Sequence, residues 1–169
     1  MLEHVLNSGN QLKTDLETSE GFSSVDYERI LIVGMGGSGV AGDVLKLILN
    51  QYTNIDAEVR KTYNLTKIQI AARPFCLFIS YSGNTEETIS AAKNAIDENL
   101  EWAAISSGGE LLDLATKHNK KFVKVPDGLQ PRAAFGLMTK AVVNYLPNQT
   151  KKIFINACEE AGNYLNNLT

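Results

Sequence analysis

Hydroxyl-bearing side chains cluster in one short segment, "SYSGNTEET", near the middle of the chain. Ser80, Ser82 and Thr85 fall within six residues, and Gly83 between them permits a tight turn. An apolar run precedes the segment and helical spacing follows it, so these hydroxyls are expected just before a helix N-terminus. Short neutral donors beside the unpaired amides of a helix N-terminus are typical of a site for one phosphate group.

A glycine cluster, "GMGGSG", follows another apolar run nearer the start. Gly34, Gly36 and Gly39 have the spacing G-x-G-x-x-G, and Gly37 and Ser38 lie inside the cluster. Between a strand and a helix, this spacing brings backbone amides close to a phosphate or pyrophosphate. Ser38 adds a fourth hydroxyl next to a helix start, so the two segments together indicate a phosphate site more strongly than either alone.

The same spacing leaves a dinucleotide-binding oxidoreductase domain open as an alternative. Such domains carry an acid about 20 residues on, at the end of the second strand. Glu58 lies near that distance, but the segment continues as "VRKTYN"; Arg60 or Lys61 could instead bind a phosphorylated cofactor. A Walker phosphate loop is excluded, because Val40 and Ala41 stand where Lys and Ser or Thr are needed.

Short apolar runs alternate with amphipathic segments, which is typical of βαβ units. The pattern predicts an α/β three-layer sandwich with helices on both faces of a five-stranded parallel sheet of order 2-1-3-4-5. In that order the first and third strands are neighbours, so both loops open onto one crevice at the carboxyl ends. The five predicted strands are "RILIVG" (29–34), "IDAEVRK" (55–61), "FCLFIS" (75–80), "EWAAIS" (101–106) and "KFVKV" (121–125).

The chain of 169 residues has the length of one domain, so residues 1–169 are predicted to fold as a unit. An N-terminal helix and lead-in are expected over 1–24, and a C-terminal helix over 150–169. The N-terminal prediction rests on apolar residues at helical spacing: Leu2, Val5, Leu6, Leu12 and Leu16.

Composition narrows the classes of partner. A net charge of −3 with no Lys/Arg-dense stretch argues against a nucleic-acid partner. No apolar stretch approaches the ~20 residues of a membrane span, and the first residues lack a signal-peptide centre. A cytoplasmic protein without a membrane partner is therefore expected. Cys76 and Cys158 lie far apart in apolar or helical contexts, so neither a disulfide nor a metal site is predicted.

Three motifs in order, "GMGGSGVAGD", "SYSGNTEET" and "VPDGLQPRAAFG", resemble the sugar isomerase (SIS) domain. The likeness covers most of residues 25–146 and is closest to the N-terminal half of bifunctional phosphoglucose/phosphomannose isomerases. It implies a phosphosugar ligand and no cofactor. By the resemblance, the phosphate-binding residues are Gly37, Ser38, Ser80, Ser82 and Thr85, and Arg132 stabilises the developing enediolate.

The resemblance implies aldose–ketose isomerisation of hexose 6-phosphates, with glucose, fructose or mannose 6-phosphate as substrate. Enzymes of that group have two such domains, and their catalytic base lies in the half that has no counterpart here. A missing domain or partner is therefore expected to supply the base, either as a second SIS domain or in a homo-oligomer. Glu86, Glu87 and Glu110 are interpreted as acids that complement helix dipoles. A non-catalytic phosphosugar-binding module stays open as an alternative.

Overall fold

The computed structural model describes residues 7–19 and 27–168. Apolar runs form the strands, and amphipathic segments form the helices between them. The strands are β1 (Glu17–Thr18), β2 (Arg29–Gly34), β3 (Asp56–Arg60), β4 (Phe75–Ile79), β5 (Trp102–Ser106) and β6 (Lys121–Lys124). The helices are α1 (Ser8–Lys13), α2 (Gly36–Tyr52), α3 (Lys67–Ala71), α4 (Glu86–Asp97), α5 (Gly109–Lys117), α6 (Phe135–Val143) and α7 (Asn148–Asn166).

The strands form one mixed sheet in the order β1-β6-β5-β4-β2-β3. Strands β2 to β6 pair in parallel, and β1 pairs antiparallel with β6. The predicted sheet of five parallel strands is therefore not quite matched, because a sixth strand covers the β6 edge. Only two polar residues form that strand, too few to show a period-two pattern, and its Glu17 contacts Lys124 at 3.1 Å.

Strand β2 is buried on both of its faces, as its uninterrupted apolarity predicts. Ile30 and Ile32 point into one core, and Leu31 and Val33 point into the other. The sheet is therefore the middle of three layers. Helix residues of the first core include Leu45 and Met138, and those of the second include Ala92 and Leu111.

The terminal helices differ in part from the prediction. Leu2, Val5 and Leu6 lie outside the described residues. In the described part of the predicted 1–24 segment, α1 is the only helix, and the two-residue strand β1 follows it. Helix α7 begins two residues before the predicted segment 150–169. The two helices contact each other: Lys13 donates to Asn163 Oδ1 at 2.6 Å, and Asn166 donates to Asn10 Oδ1 at 2.8 Å.

Helix α3 was not predicted from the sequence. Its five residues are too few for a hydrophobic period. A capping box starts it: Thr66 Oγ1 accepts from the Gln69 amide, and Gln69 Oε1 accepts from the Thr66 amide. The Thr-x-x-Gln spacing is the sequence pattern that could have predicted the start of this helix.

Both cysteines are buried free thiols, as predicted. Burial raises the pKa of Cys76 to about 12, and burial also raises the pKa of Cys158, against the lowering effect of Lys140. Both thiols are therefore protonated at neutral pH and serve as core packing. Over the described residues, no helix combines the length and apolar content needed to cross a membrane.

We expect Leu77→Ala to lower the free energy of unfolding by about 2–5 kcal/mol, because it leaves a cavity in the first core. Leu77 is fully buried in β4. Leu47→Ala is the matched control: Leu47 is 65% exposed on α2, and its loss should change stability by less than about 0.5 kcal/mol. Urea denaturation measures both, and equal losses would contradict this placement of the core.

Candidate functional site

The glycine loop and the hydroxyl loop begin side by side at the carboxyl edge of the sheet. In the parallel pairing of β2 with β4, Gly34 lies opposite Ile79. Each is the last residue of its strand, and each loop leads into a helix, α2 or α4. The N-termini of two helices therefore face the same edge, and the positive ends of their dipoles favour an anion there.

A hydrogen bond joins the two loops directly. The Tyr81 backbone N–H donates to Ser38 Oγ at 3.1 Å, and Ser38 is almost completely buried. The expected convergence of the two loops is therefore confirmed.

The three hydroxyls of the second loop lie at different depths. Ser80 is fully buried; its Oγ accepts from the Gly83 N–H at 3.1 Å and lies 2.8 Å from Thr85 Oγ1. Thr85 is half-buried, whereas Ser82 is exposed and accepts from the Asn84 N–H at 3.3 Å. The hydroxyls thus extend from the floor of the loop to its surface.

Thr85 occupies the N-cap position of α4, as predicted, but its side chain does not cap the helix. Among the described residues, it accepts no hydrogen bond from the first turn of α4. The Thr85 hydroxyl pairs with Ser80 instead. Thr85 therefore leaves the amides of that first turn uncapped, and uncapped amides at a helix N-terminus are typical of anion-binding sites.

The loop after β5 and the first turn of α5 pack against the hydroxyl loop. Asn84 Oδ1 accepts from the Glu110 N–H at 3.1 Å, and the Leu111 N–H donates to the Gly83 carbonyl at 2.9 Å. Gly83 has a φ of +71°, and a Cβ there would lie 1.7 Å from the Gly108 carbonyl oxygen. Only glycine fits this contact, so the residue type fixes how the two loops meet.

Arg132 lies at the same edge, on the loop between β6 and α6. Its side chain is exposed. The loop touches the glycine loop, because a Cβ on Gly37 would lie 3.2 Å from the Pro131 carbonyl oxygen. The structure therefore brings the whole predicted set to one edge, in three adjoining loops: Gly37, Ser38, Ser80, Ser82, Thr85 and Arg132.

Two residues of this edge were missed in the sequence. Tyr81 connects the first two loops, and its only signal was its place between two chosen serines. Gln11 is buried, donates to the Ala133 carbonyl at 2.8 Å and accepts from the Leu137 N–H at 3.3 Å. It holds the chain just after Arg132 from a helix 122 residues away in sequence, and no local pattern reveals such a contact.

Acidic side chains at the carboxyl edge are engaged or solvated. Glu110 pairs with Lys93 at 2.6 Å, and Glu86 and Glu87 lie in the first turn of α4. Among the described residues, no group of three or more His, Cys, Asp or Glu side chains could hold a metal ion. The site therefore consists of neutral donors, two helix N-termini and one arginine.

A concave region of about 1350 Å³ lies at the opposite edge of the sheet. The first residues of four strands line it: Arg29, Asp56, Phe75 and Trp102. The amino ends of parallel strands lie beside helix C-termini, whose dipoles disfavour an anion. Size alone therefore does not make this region the phosphate site.

We expect Gly83→Ala to destabilise the fold more than Gly128→Ala does. Gly128 has a φ of +87° and open space around its Cα, so alanine there incurs only the conformational cost of about 1–2 kcal/mol. At Gly83 the added methyl also collides with the Gly108 carbonyl, which should raise the loss by about 1–3 kcal/mol. Thermal and urea unfolding compare the two variants. Equal losses would show that the two loops do not meet as described.

Curated proteins with similar sequences act on phosphosugars, according to their names. A bifunctional phosphoglucose/phosphomannose isomerase of Thermoplasma acidophilum is 35% identical over 144 residues, which is 83% of this chain and 44% of that protein. A D-glucosamine-6-phosphate 4-epimerase of Sulfolobus acidocaldarius is 32% identical over 124 residues, covering 73% of this chain and 39% of that protein. The chain thus spans less than half the length of these relatives.

Solved structures share the fold. A putative phosphosugar isomerase from Clostridium difficile 630 superimposes with a TM-score of 0.66 at 13% identity, over 96% of this chain and 52% of that one. The model of the SIS domain family matches residues 25–125, which is more than half of the chain. The chain therefore belongs to the SIS domain family.

Proposed function

We propose that this chain is a phosphosugar isomerase domain that binds hexose 6-phosphates. It would take part in aldose–ketose isomerisation of glucose 6-phosphate and fructose 6-phosphate, and of mannose 6-phosphate, through an enediol. The observation that carries the proposal is the hydrogen bond between the Tyr81 N–H and Ser38 Oγ. It holds the glycine loop and the hydroxyl loop together at the carboxyl edge of the sheet, where the helices α2 and α4 begin.

The proposed phosphate site consists of Ser38, Ser80, Ser82, Thr85 and the Gly37 backbone. Its hydroxyls and amides are neutral donors, and the positive ends of the α2 and α4 dipoles add attraction for the dianion. A chain with a net charge of −3 can bind a phosphate in this way without a lysine. Convergence on one point favours a monophosphate over an extended pyrophosphate.

Contacts at the end of β3 argue against the dinucleotide alternative. Glu58, the acid near the required distance, accepts from Gln69 Nε2 at 2.6 Å. Lys61 is paired with Asp43 at 2.6 Å, and Arg60 donates to Thr62 at 3.1 Å. Among the described residues, the groups that would bind a cofactor ribose or its phosphate are therefore engaged within the protein, apart from Arg60 Nε, which is buried without a partner.

In the proposed reaction, a base moves a proton between C1 and C2 of the open-chain sugar. The intermediate carries negative charge on its O1 and O2 oxygens, and the Arg132 guanidinium would stabilise that charge. Proton transfer of this kind needs neither a metal nor a cofactor. We assign the base to a missing domain or a partner, since Glu110 at this edge is already paired with Lys93.

We further propose that residues 1–169 form a single SIS domain of a cytoplasmic protein. Its partner would be a second SIS domain or another copy of the chain, with no nucleic acid and no membrane. Exposed apolar side chains on α2 and α7 offer surface for such a partner, among them Leu47, Tyr52, Ile153 and Tyr164.

A non-catalytic phosphosugar-binding module is the second candidate. The engaged Glu110 favours it, because such a module needs no base. The two candidates differ in turnover of fructose 6-phosphate to glucose 6-phosphate by the 169-residue chain. Turnover that is lost in Arg132→Ala supports the isomerase, with another copy of the chain as the source of the base. Tight binding without turnover, even after a second SIS domain that carries a base is added, supports the module.

We expect the double variant Ser82→Ala/Thr85→Ala to lose at least about 100-fold in affinity for glucose 6-phosphate. Two hydrogen bonds to a charged group are worth about 1.5–3 kcal/mol each, and every 1.4 kcal/mol is tenfold. Isothermal titration calorimetry measures the change. The matched control is Ser90→Ala/Thr116→Ala, which removes hydroxyls bonded to Asn64 and Leu112 outside the site. Equal affinity in both double variants would exclude the proposed site.

We expect Arg132→Ala to discriminate between ligands. A five-carbon aldonic acid 5-phosphate carries a carboxylate where the enediolate oxygens would form, so its affinity should fall at least about tenfold. Affinity for glucose 6-phosphate should change less than about threefold, because its phosphate contacts remain. The control is Arg73→Ala. Arg73 is an exposed arginine at the opposite edge of the sheet, and it donates to the Asn99 carbonyl. Equal weakening of both ligands would remove the enediolate role.

A further inference from the structure

Tyr81 binds a different loop with each of its three polar groups. Its N–H donates to Ser38 Oγ, and its carbonyl accepts from the Ser107 N–H at 2.9 Å and from Ser107 Oγ at 2.7 Å. Its phenol reaches the loop after β6. The ring itself is only 4% exposed and belongs to the first core. One residue therefore joins four of the five loops that follow the parallel strands β2 to β6, counting its own.

The Tyr81 phenol bonds to both ends of the segment 126–129. It donates to the Pro126 carbonyl at 3.0 Å and accepts from the Leu129 N–H at 3.0 Å. These two backbone groups stand three residues apart, as the pair that closes a β-turn does. Here the phenol oxygen bridges them, with Gly128 at a φ of +87° between them.

The phenol is suited to both bonds only while it keeps its proton. Burial raises the pKa of Tyr81, the Asp127 carboxylate raises it further, and the Leu129 amide lowers it. The neutral phenol that results can donate to Pro126 and accept from Leu129 at the same time.

We infer that Tyr81 is a positioning residue that sets where Arg132 stands relative to the phosphate-binding hydroxyls. The inference rests on the proposed function of that site. Arg132 follows Leu129 by three residues. The Ala133 N–H donates to the Gln130 carbonyl at 2.8 Å, which closes a turn around Arg132. Gln11 holds Ala133 from the other side. Arg132 therefore lies between two side-chain anchors, and Tyr81 is the one that also touches the phosphate loops.

Removal of the Tyr81 hydroxyl leaves the Pro126 carbonyl and the Leu129 N–H to bond to each other or to water. Either change moves the segment that carries Arg132, while the backbone bonds of Tyr81 to Ser38 and Ser107 remain. A displacement of about 1 Å is enough to reduce catalysis by about 100-fold. The phosphate contacts should therefore survive a change that misplaces the guanidinium.

The experiment compares Tyr81→Phe with Tyr145→Phe in the 169-residue chain. Tyr145 is fully buried, and its phenol donates to the Ala104 carbonyl at 2.9 Å, so the control removes an equivalent hydroxyl from mid-sheet. In ¹H–¹⁵N NMR spectra, Tyr81→Phe should shift the amide signals of Leu129, Gln130, Arg132 and Ala133, whereas Tyr145→Phe should not. Affinity for the five-carbon aldonic acid 5-phosphate should fall about five- to tenfold in Tyr81→Phe, with less than a twofold change for glucose 6-phosphate.

Two results would overturn the positioning role. One is a shift confined to Leu129, with Arg132 and Ala133 unmoved; the other is equal weakening of both ligands, which a general structural support would produce. If the wild-type chain bound no hexose 6-phosphate, the proposed function would fail. The amide signals of Leu129, Gln130, Arg132 and Ala133 would then still decide whether Tyr81 positions the loop.

Discussion

The parallel pairing of β2 with β4 is the constraint on which the whole site depends. Its register sets Gly34 opposite Ile79, so both loops leave the sheet at the same height. A slip of one residue would turn each side chain of a strand to the other face. Because both faces of β2 are apolar, polarity alone does not oppose such a slip. The close packing of its particular side chains in the two cores opposes it. The Ser38–Tyr81 bond then fixes a geometry that the cores have already selected.

The chemistry of the proposed substrate, a hexose 6-phosphate, would explain why the candidate site is divided between loops. The phosphate is on C6, whereas the proton moves between C1 and C2 at the other end of the sugar. A compact group of hydroxyls can hold only the phosphate end. The charge-stabilising group must stand some way off, and Arg132 lies on a different loop whose backbone touches the first at Gly37 and Pro131.

The sequence predicted what depends on local pattern. Uninterrupted apolarity located β2 and β4, and glycine and hydroxyl spacing located the two loops that follow them. It did not predict β1, because two polar residues carry no period, or α3, whose only signal was a capping box. It also missed Gln11 and Tyr81 as contacts. Their partners are 122 and 48 residues away, and long-range polar contacts leave no trace in local spacing.

The proposed phosphate-binding groups and the proposed charge-stabilising group, Arg132, lie on different loops, so the fold can serve different reactions. The proposed phosphate site is made of backbone amides and short hydroxyls, so it depends on the strand–loop–helix geometry more than on any one side chain. Arg132, the group proposed to act on the sugar, sits on a loop held by replaceable contacts such as the Tyr81 phenol. Changes in that loop can alter the chemistry while the anchor stays intact. Relatives named as isomerases and as a 4-epimerase, at similar identity to this chain, are consistent with such a division.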